Sequence, residues 1–417
     1  MIVLVNFNEY LGGGETLLVR ISEAIGERNC LIVGSKGSYI DSATSERVSR
    51  NGCFYEHNYS YHYLDSAGKA KLFSWLDDNL PKETLKIVTF CLRDLHLLHD
   101  FMHQKRSHDY SLTHLLLHPL DHLYLCQDLK DKALHMLCGS EKFSLTHNKK
   151  SNATLLRQVA HGGGLIPMNM NVLKRLAQDT GIHLPSESII ALPYFDEKKV
   201  GKVKLTNQFV EPLRIVWMGR IVDFKLPAIL TMIDAIAQDP RLEFHIIGYG
   251  NEKAVTKHIN NKGVASRVHL EGKVKPEELP EKLSRFHIGY AMGTSLVELT
   301  AHGLPTIVAL AKPDFKPFSK PICAGLVNEL EMGNVGDDLY AIEADKLPSI
   351  ASKVEEIYAD PDRVLAHSLM NIQSSFNLNE NISKYLKVIE HSGPFSSKEV
   401  NDLKLSKLKK LAFKVAK

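Results

Sequence analysis

The stretch His287-Ile-Gly-Tyr-Ala-Met-Gly-Thr-Ser-Leu-Val-Glu-Leu-Thr-Ala-His-Gly-Leu-Pro-Thr-Ile-Val-Ala309 decides the fold of this chain. Its pattern predicts a strand over 288–292, a turn at Gly293, a short helix over 296–302 and, after a Gly-Leu-Pro stop, a second strand. Such a strand–helix–strand unit is typical of a parallel sheet with helices packed on it. We therefore expect an α/β protein.

The turn before the short helix is a candidate binding site. The first backbone N–H groups of a helix are unpaired and its dipole is positive there, so Gly293, Thr294 and Ser295 suit phosphate. Glu298 is expected in the first helical turn, where a carboxylate accepts both hydroxyls of a ribose. Together they favour a nucleotide-linked ligand. A purely structural alternative is a capping box between Ser295 and Glu298, and the two roles are compatible.

A second candidate element lies upstream. The segment 213–220, Leu-Arg-Ile-Val-Trp-Met-Gly-Arg, predicts a strand that ends in Gly219 and Arg220, and Lys225 follows just before a helical pattern over 227–237. Arg offers a planar fork for phosphate oxygens and Lys a point charge. The alternative is that both cations are solvated surface residues, but two of them at one strand end favour an anion site.

The start of the chain has a related arrangement. The apolar run 1–7 predicts a first strand, and Gly12, Gly13 and Gly14 precede an amphipathic helix over 16–25. Glycines let the backbone approach a ligand at a helix N-terminus. A flexible turn is the structural alternative for such a glycine run.

These elements resemble a known family. Gly219-Arg220 with Lys225, then 244–250 (Phe-His-Ile-Ile-Gly-Tyr-Gly), 268–274 (Val-His-Leu-Glu-Gly-Lys-Val) and 293–305 are similar, in order and spacing, to the carboxyl-terminal domain of family 4 glycosyltransferases. The resemblance covers about 213–310. It implies the GT-B fold, in which two Rossmann-like domains face each other across a cleft and a C-terminal helix crosses back to the first domain.

The resemblance also implies roles for single residues. Arg220 and Lys225 would neutralise the donor diphosphate, and Glu298 would hold the ribose diol. Further donor contacts are implied by position for a larger set: Gly219, Val274 beside the base, and the backbone amides of Gly293, Thr294 and Ser295. Gly12, Gly13 and Gly14 would border the phosphates and the acceptor, and His118 would lie near the donor sugar. One departure is Tyr290, which occupies the place of a family glutamate that contacts the donor sugar.

The implied reaction is the transfer of a sugar from a UDP- or GDP-sugar to a hydroxyl of a glycan or lipid-linked acceptor. The resemblance implies a hexosyltransferase that retains the anomeric configuration, without a metal or other cofactor, in surface polysaccharide or glycan biosynthesis. Three alternatives stay open, one of them a membrane-tethered scaffold that would keep the basic tail but tolerate loss of Arg220 and Lys225. A GT-B sugar-nucleotide epimerase would use the same phosphate site without an acceptor, and a non-catalytic protein would bind a nucleotide sugar and turn nothing over.

Other polar residues have weaker signals. Arg93 and Asp94 follow a predicted strand and are candidates for an acceptor contact, with an N-capping Asp94 beside an exposed Arg93 as the alternative. For His118 the alternative is a histidine at a helix start whose hydrogen bonds are already satisfied.

Ten of the twenty histidines fall between His96 and His161. Because no His-Glu-x-x-His and no acidic residue at ligand spacing accompanies them, we expect no metal site. Asp360-Pro-Asp362 is expected to be a turn between helices.

Length and composition bound the remaining possibilities. The 417 residues suit two domains, expected over 1–200 and 208–376, with a linker near 196–208, a crossover helix over 377–393 and a tail over 399–417. The net charge of +3 gives no reason to expect nucleic acid as a partner. Six cysteines without a Cys-x-x-Cys pair, an apolar start without a basic leader and no long apolar span predict a cytoplasmic protein.

The tail 403–417 carries lysines and no acidic residue. On a helix its apolar residues gather on one face, so contact with an anionic membrane surface is expected, which would make the protein peripheral on the inner face. A solvated or docked tail is the alternative.

The amino-terminal half alternates strands with helices. Helices are predicted over 66–79, 94–104 and 170–180, and strands over 85–90, 114–118 and 189–193. This alternation indicates a doubly wound sheet.

Overall fold

A computed structural model describes most of the chain. The described residues are 1–8, 12–26, 29–47, 52–56, 66–105, 110–118, 121–122, 152–196, 208–222, 224–275, 277–311, 317–336 and 346–395. The chain forms two compact units. Unit 1 comprises Met1–Ile190 and Ile382–Lys417, and unit 2 comprises Ala191–Asn381.

Unit 1 is built on a parallel sheet with the strand order β3-β2-β1-β4-β5-β6. Its strands are β1 (Ile2–Asn6), β2 (Cys30–Ser35), β3 (Gly52–Tyr55), β4 (Leu85–Thr89), β5 (Tyr110–Leu116) and β6 (Leu165–Pro167). Its helices up to this point are α1 (Gly13–Ile25), α2 (Tyr39–Arg47), α3 (Ser66–Asn79), α4 (Leu92–Lys105), α5 (152–161) and α6 (Met170–Thr180). The central strands are buried on both faces, which explains why they are continuous apolar runs.

Unit 2 repeats this plan with the strand order β12-β11-β10-β7-β8-β9, parallel except for the antiparallel pair β11–β12. Its strands are β7 (Leu213–Met218), β8 (Leu242–Ile247), β9 (Val268–Gly272), β10 (Ile288–Ala291), β11 (Thr306–Val308) and β12 (Gly325–Leu326). Its helices are α7 (Leu226–Gln238), α8 (Glu252–Lys262), α9 (Leu279–Leu283), α10 (Thr294–Ala301), α11 (Ile350–Ala359) and α12 (Pro361–Phe376).

The core of unit 2 lies between its sheet and the helices on one face. Trp217 and Tyr290 are fully buried, with ring centroids 5.8 Å apart, and Phe244 packs 6.3 Å from Tyr290. Helix α7 is buried along nearly its whole length, which its almost uniformly apolar sequence explains. This rigid base holds the carboxyl ends of β7 and β10 in place.

The last described helix, α13 (Leu378–His391), returns the chain to unit 1. Within unit 1, Tyr385 Oη donates to the Ile190 carbonyl over 2.8 Å, and beyond the helix Ser392 Oγ lies 3.0 Å from Ser111 Oγ. The expected C-terminal helix that crosses back to the first domain is confirmed.

Most predicted elements are present with boundaries shifted by one to four residues. Helices 66–79 and 170–180 match α3 and α6. The strand predicted over 189–193 is wrong: this segment has no regular structure, and Ile190 makes one ladder-like bond, from its N–H to the Pro167 carbonyl over 3.1 Å. Asp360 caps α12 by accepting from the Arg363 N–H over 3.1 Å, so the turn expected there is confirmed.

No helix among the described residues combines the length and the apolar character needed to cross a membrane. The basic tail 403–417 and most of the linker, 197–207, lie outside the described residues.

Candidate functional site

Gly219 is the point at which Lys225 and Ser295, two of the predicted donor residues of unit 2, come together. It follows β7 directly, and its backbone has a φ of +147°, which favours glycine. A Cβ placed on Gly219 would lie 3.5 Å from Lys225 Nζ and 3.7 Å from Ser295 Oγ. The structure therefore brings together an ammonium from the start of α7 and a hydroxyl from the start of α10, as the two sequence motifs predict.

Two cations at this point have no counter-charge among the residues that the structure describes. Arg220 is exposed and Lys225 half-buried, and neither forms an ion pair with any described residue. Burial, and secondly the positive charge of Arg220, lower the pKa of Lys225 to about 8. Burial thus disfavours the charged form of Lys225, whose described favourable contact is the Phe224 ring, with its centroid 5.9 Å from Nζ. An anion between the two cationic side chains would add a negative charge.

The helix ends strengthen the positive potential. Lys225 occupies the N-cap position of α7, where the helix dipole disfavours a cation. Helix α10 begins at Thr294, directly after Gly293, whose φ of +69° suits glycine. The amides of Thr294 and Ser295 stand in the first turn and have no intrahelical acceptor. Two helix N-termini and two cations thus lie around one backbone glycine.

Glu298 lies in the second turn of α10 and not in the first, because the helix begins at Thr294 and not at Leu296 as predicted. The capping-box interpretation is wrong: Gly293 is the N-cap, and no side chain caps this helix. Instead Glu298 Oε2 accepts a hydrogen bond from Tyr194 Oη over 2.5 Å. Oε1 accepts none from a described residue and lies 3.8 Å from His302 Nδ1. One carboxylate oxygen is therefore available to a ligand hydroxyl.

Tyr290 does not replace a sugar contact. It lies in β10, is fully buried and donates from its hydroxyl to the Ala228 carbonyl over 3.2 Å. The position eight residues before Glu298 is thus part of the hydrophobic core.

The neighbouring strand ends complete this edge of the sheet. Gly248 follows β8, and its N–H donates to the Gly272 carbonyl at the end of β9 over 2.9 Å. Val274, predicted beside the base, follows β9 and is half-buried. Since β8 separates β7 from β9, Val274 is offset from Gly219 by two strand spacings, about 10 Å. A ligand that joins the two positions has to be extended along the sheet edge.

The glycine run of unit 1 belongs to a helix start and not to a loop. Gly12 is the N-cap of α1, and Gly13 and Gly14 are its first residues. Glu15 is buried in this turn, where its Oε1 accepts from Asn6 Nδ2 over 3.1 Å and from Asn8 Nδ2 over 2.9 Å. The predicted role of the three glycines beside phosphate stays a prediction.

Asp94 is fully buried and does not cap a helix, since α4 begins at Leu92. Its Oδ2 accepts from the Phe7 N–H over 3.0 Å, and its Oδ1 accepts from Arg93 Nε over 3.0 Å. Arg93 also donates to Asn8 Oδ1 over 3.1 Å and is largely buried, so the expected N-cap and exposed Arg93 are both wrong. Arg93 and Asp94, which follow β4, are thus hydrogen-bonded to the residues that follow β1. An acceptor contact by Arg93 or Asp94 stays a prediction.

His118 follows β5 and is half-buried. The amides of Leu117 and His118 both donate to Asp121 Oδ2 over 2.8 Å, which holds the backbone of this turn. His118 belongs to unit 1, whereas Arg220, Lys225 and Glu298 belong to unit 2. Its role near the donor sugar stays a prediction.

The other described histidines of this region are dispersed among separate partners. His96 Nε2 lies 3.0 Å from Asn152 Oδ1, His114 Nδ1 2.8 Å from Thr89 Oγ1, and His122 Nε2 3.0 Å from Asp179 Oδ2. Burial lowers the pKa of His96 to about 4 and that of His114 to about 3, so both rings are neutral core residues.

Some site residues were not anticipated. Tyr194 lies 104 positions from Glu298 in the chain, and no local pattern links the two. Asn6 and Asn8 carry the hydrogen bonds that position Glu15. A sequence signal existed only for the asparagines: two amides flanking the end of a buried strand, where polar groups gather in parallel sheets.

Comparison with known proteins places the fold. No family model matches the chain, and no curated protein matches its sequence. Solved structures, however, match this chain in their fold. Anabaena HepE in complex with UDP and glucose is 12% identical with a TM-score of 0.56, and the match covers 93% of this chain and 99% of that one.

Two further structures match at similar coverage. Sucrose-phosphate synthase from Thermosynechococcus elongatus is 12% identical with a TM-score of 0.58, covering 93% and 98% of the two chains. A glycosyltransferase from Rickettsia africae is 10% identical with a TM-score of 0.58, covering 93% and 97%. The chain therefore has the α/β fold of GT-B glycosyltransferases, with two parallel-dominated sheets and interleaved helices.

Proposed function

We propose that this protein is a glycosyltransferase that takes its sugar from a nucleoside-diphosphate donor. The observation that carries the proposal is the group at Gly219: Lys225 Nζ and Ser295 Oγ lie 3.5 and 3.7 Å from the place of a Cβ on this glycine, and Arg220 is adjacent in the chain. Neither cation has a described counter-ion. A diphosphate has the charge and the several acceptor oxygens that such a site requires.

The proposed chemistry follows from where charge develops. When the bond between the sugar and the diphosphate breaks, negative charge grows on the leaving phosphate. Arg220, Lys225 and the amides of Thr294 and Ser295 are positioned to stabilise that charge in a preorganised way. These groups would take the part that a divalent metal plays in metal-dependent transferases, so we propose metal-independent transfer.

Finer parts of the proposal rest on the sequence resemblance. They are membership of family 4, hexosyl transfer with retention of the anomeric configuration, and a glycan or lipid-linked acceptor in surface polysaccharide biosynthesis. HepE was solved with UDP and with glucose, which supports testing UDP-sugars first. The anomeric configuration of a purified product, determined by NMR, decides the stereochemical part.

The binding site is tested by substitution. Arg220→Ala, Lys225→Ala and Glu298→Ala are each expected to weaken nucleoside-diphosphate binding roughly ten- to hundredfold, because each removes a charged or charge-assisted contact of about 1.5–3 kcal/mol. Calorimetric titration with UDP, GDP and CDP measures this effect and selects the base. Lys257→Ala is the control, since Lys257 is exposed on α8 and makes no described contact.

Unchanged affinity in all three variants, with circular dichroism showing an intact fold, would remove the site assignment. Turnover separates the alternatives. Glycosylated acceptor supports transfer, conversion of the nucleotide sugar without acceptor supports the epimerase, and tight binding without conversion supports a binding protein.

A further inference from the structure

A second polar cluster lies on the sheet of unit 2, apart from the Gly219 group. Glu243 and His245 are two residues apart in β8, so both side chains project from the same face of the sheet. The β8–β9 register places His269 directly beside His245, and the two rings stack with centroids 4.6 Å apart. One ligand atom each from Glu243, His245 and His269 lie within 4.8 Å of one another. Among the described residues no other three His, Cys, Asp or Glu converge in this way.

His245 is held in the form that binds a metal. Its Nδ1 lies 2.8 Å from Glu271 Oε1, so a proton on Nδ1 is shared with this carboxylate and the lone pair is on Nε2. Nε2 is buried, has no hydrogen-bond partner among the described residues and lies 3.8 Å from Glu243 Oε2. In metal sites, the histidine nitrogen that does not bind the metal usually donates its N–H to a carboxylate, which fixes the orientation of the ring.

We propose that Glu243, His245 and His269 bind a divalent transition-metal ion of the zinc class. Two imidazoles and one carboxylate are a common protein ligand set for zinc. Ligand atoms about 2.1 Å from a tetrahedral ion lie about 3.4 Å apart. The 3.8 Å between His245 Nε2 and Glu243 Oε2 is close to that spacing, and a ring nitrogen of His269 lies within 4.8 Å of the ligand atoms of the other two residues.

The surroundings suit a cation with an open coordination position. A cavity of about 500 Å³ borders His245 and Glu271, so water can supply the fourth ligand. Glu271 is paired with Lys282, while Arg214 is held by the Arg285 carbonyl over 2.6 Å and by His287. Arg285, the third cation that lines this cavity, pairs with Glu281, so each of the three has a described partner.

An ion at this place would join β9 to β8. Because β9 is the edge strand of the sheet, cross-linking it to β8 stabilises the strand that carries Val274 at its end. The proposed ion is thus structural and separate from the chemistry at Gly219.

The test is a titration of the full-length chain with Co²⁺, whose visible absorption reports tetrahedral coordination, followed by displacement with Zn²⁺. We expect one ion per chain with a dissociation constant below about 10 μM and a raised melting temperature in excess Zn²⁺. His269→Ala and the isosteric Glu243→Gln should each weaken binding at least tenfold. Glu271→Gln should weaken it ten- to hundredfold through the orientation of His245.

His367→Ala is the matched control, since His367 is exposed on α12 and should leave the titration unchanged. Absence of tetrahedral bands in the wild type, or wild-type affinity in both His269→Ala and Glu243→Gln, would overturn the proposal. If His269→Ala does not fold, Glu243→Gln, which keeps size and shape, decides by itself.

Discussion

Lys225 occupies a position that folding energetics alone would assign to another residue. N-cap positions favour Ser, Thr, Asp or Asn, and a cation is disfavoured at a helix N-terminus. Lys225 is nevertheless placed there, half-buried and next to Arg220. A residue that departs from local preference without a compensating contact is expected at functional sites. At the scale of single residues, this departure favours an anion ligand.

The pH dependence of binding follows from the lowered pKa of Lys225. Below about pH 8 the ammonium is charged and attracts the diphosphate, and above it the charge is lost. Affinity for UDP should therefore fall by up to about tenfold between pH 7 and pH 9, because the charged fraction of Lys225 in the free protein falls about tenfold over this range. Calorimetric titrations across this range measure the effect. In Lys225→Arg, whose charge is permanent, the curve should be nearly flat; an identical slope in both proteins would contradict the assignment.

At the scale of elements, the site depends on how closely two strand ends approach. A Cβ on Gly248 would lie 2.0 Å from the Gly219 carbonyl oxygen, and its φ of +153° also favours glycine. Glycine at Gly248 thus lets the end of β8 pack against the backbone turn that presents Arg220.

Gly248→Ala should therefore displace the Gly219 turn. We expect a loss of about 2–4 kcal/mol in the free energy of unfolding, from strain and overpacking, together with weaker UDP binding. Gly263→Ala is the control: its φ is +67°, but an added Cβ has open space around it. It should cost about 1 kcal/mol and leave UDP affinity unchanged. Urea unfolding and calorimetry measure both quantities, and equal effects in the two variants would refute the packing argument.

For the whole molecule, two units of similar plan divide the predicted site residues between them. The cations and Glu298 belong to unit 2, and the glycine run, Asp94 and His118 belong to unit 1. The chain returns to unit 1 through α13, so the units are joined by more than one crossing of the chain. The charged residues of the proposed donor site, Arg220, Lys225 and Glu298, all lie in unit 2.

Hydrogen exchange of the whole chain tests that distribution. Saturating UDP should slow exchange most in peptides that cover 219–226 and 293–298, because the ligand contacts amides there. Peptides from α12 should be unaffected. Protection at Gly12–Thr16 would support the predicted contact of unit 1 with the phosphates. Protection confined to unit 1 would contradict the site.

The sequence by itself determined the alternation of strands and helices, the two-unit plan and the positions of Gly219, Arg220, Lys225 and Ser295. These features depend on local patterns: apolar runs of strand length, helical periodicity and glycines at strand ends. The segment 189–193 shows the limit of such patterns, because its apolar run has strand composition but forms one ladder-like bond.

Only the tertiary structure decided the contacts between distant parts of the chain. Tyr194 binds Glu298, Asp94 holds the Phe7 amide, and Tyr290 enters the core instead of a ligand site. The convergence of Glu243, His245 and His269 likewise requires the register between β8 and β9. Register and packing depend on residues far apart in sequence, and a local pattern carries no information about which of them will meet.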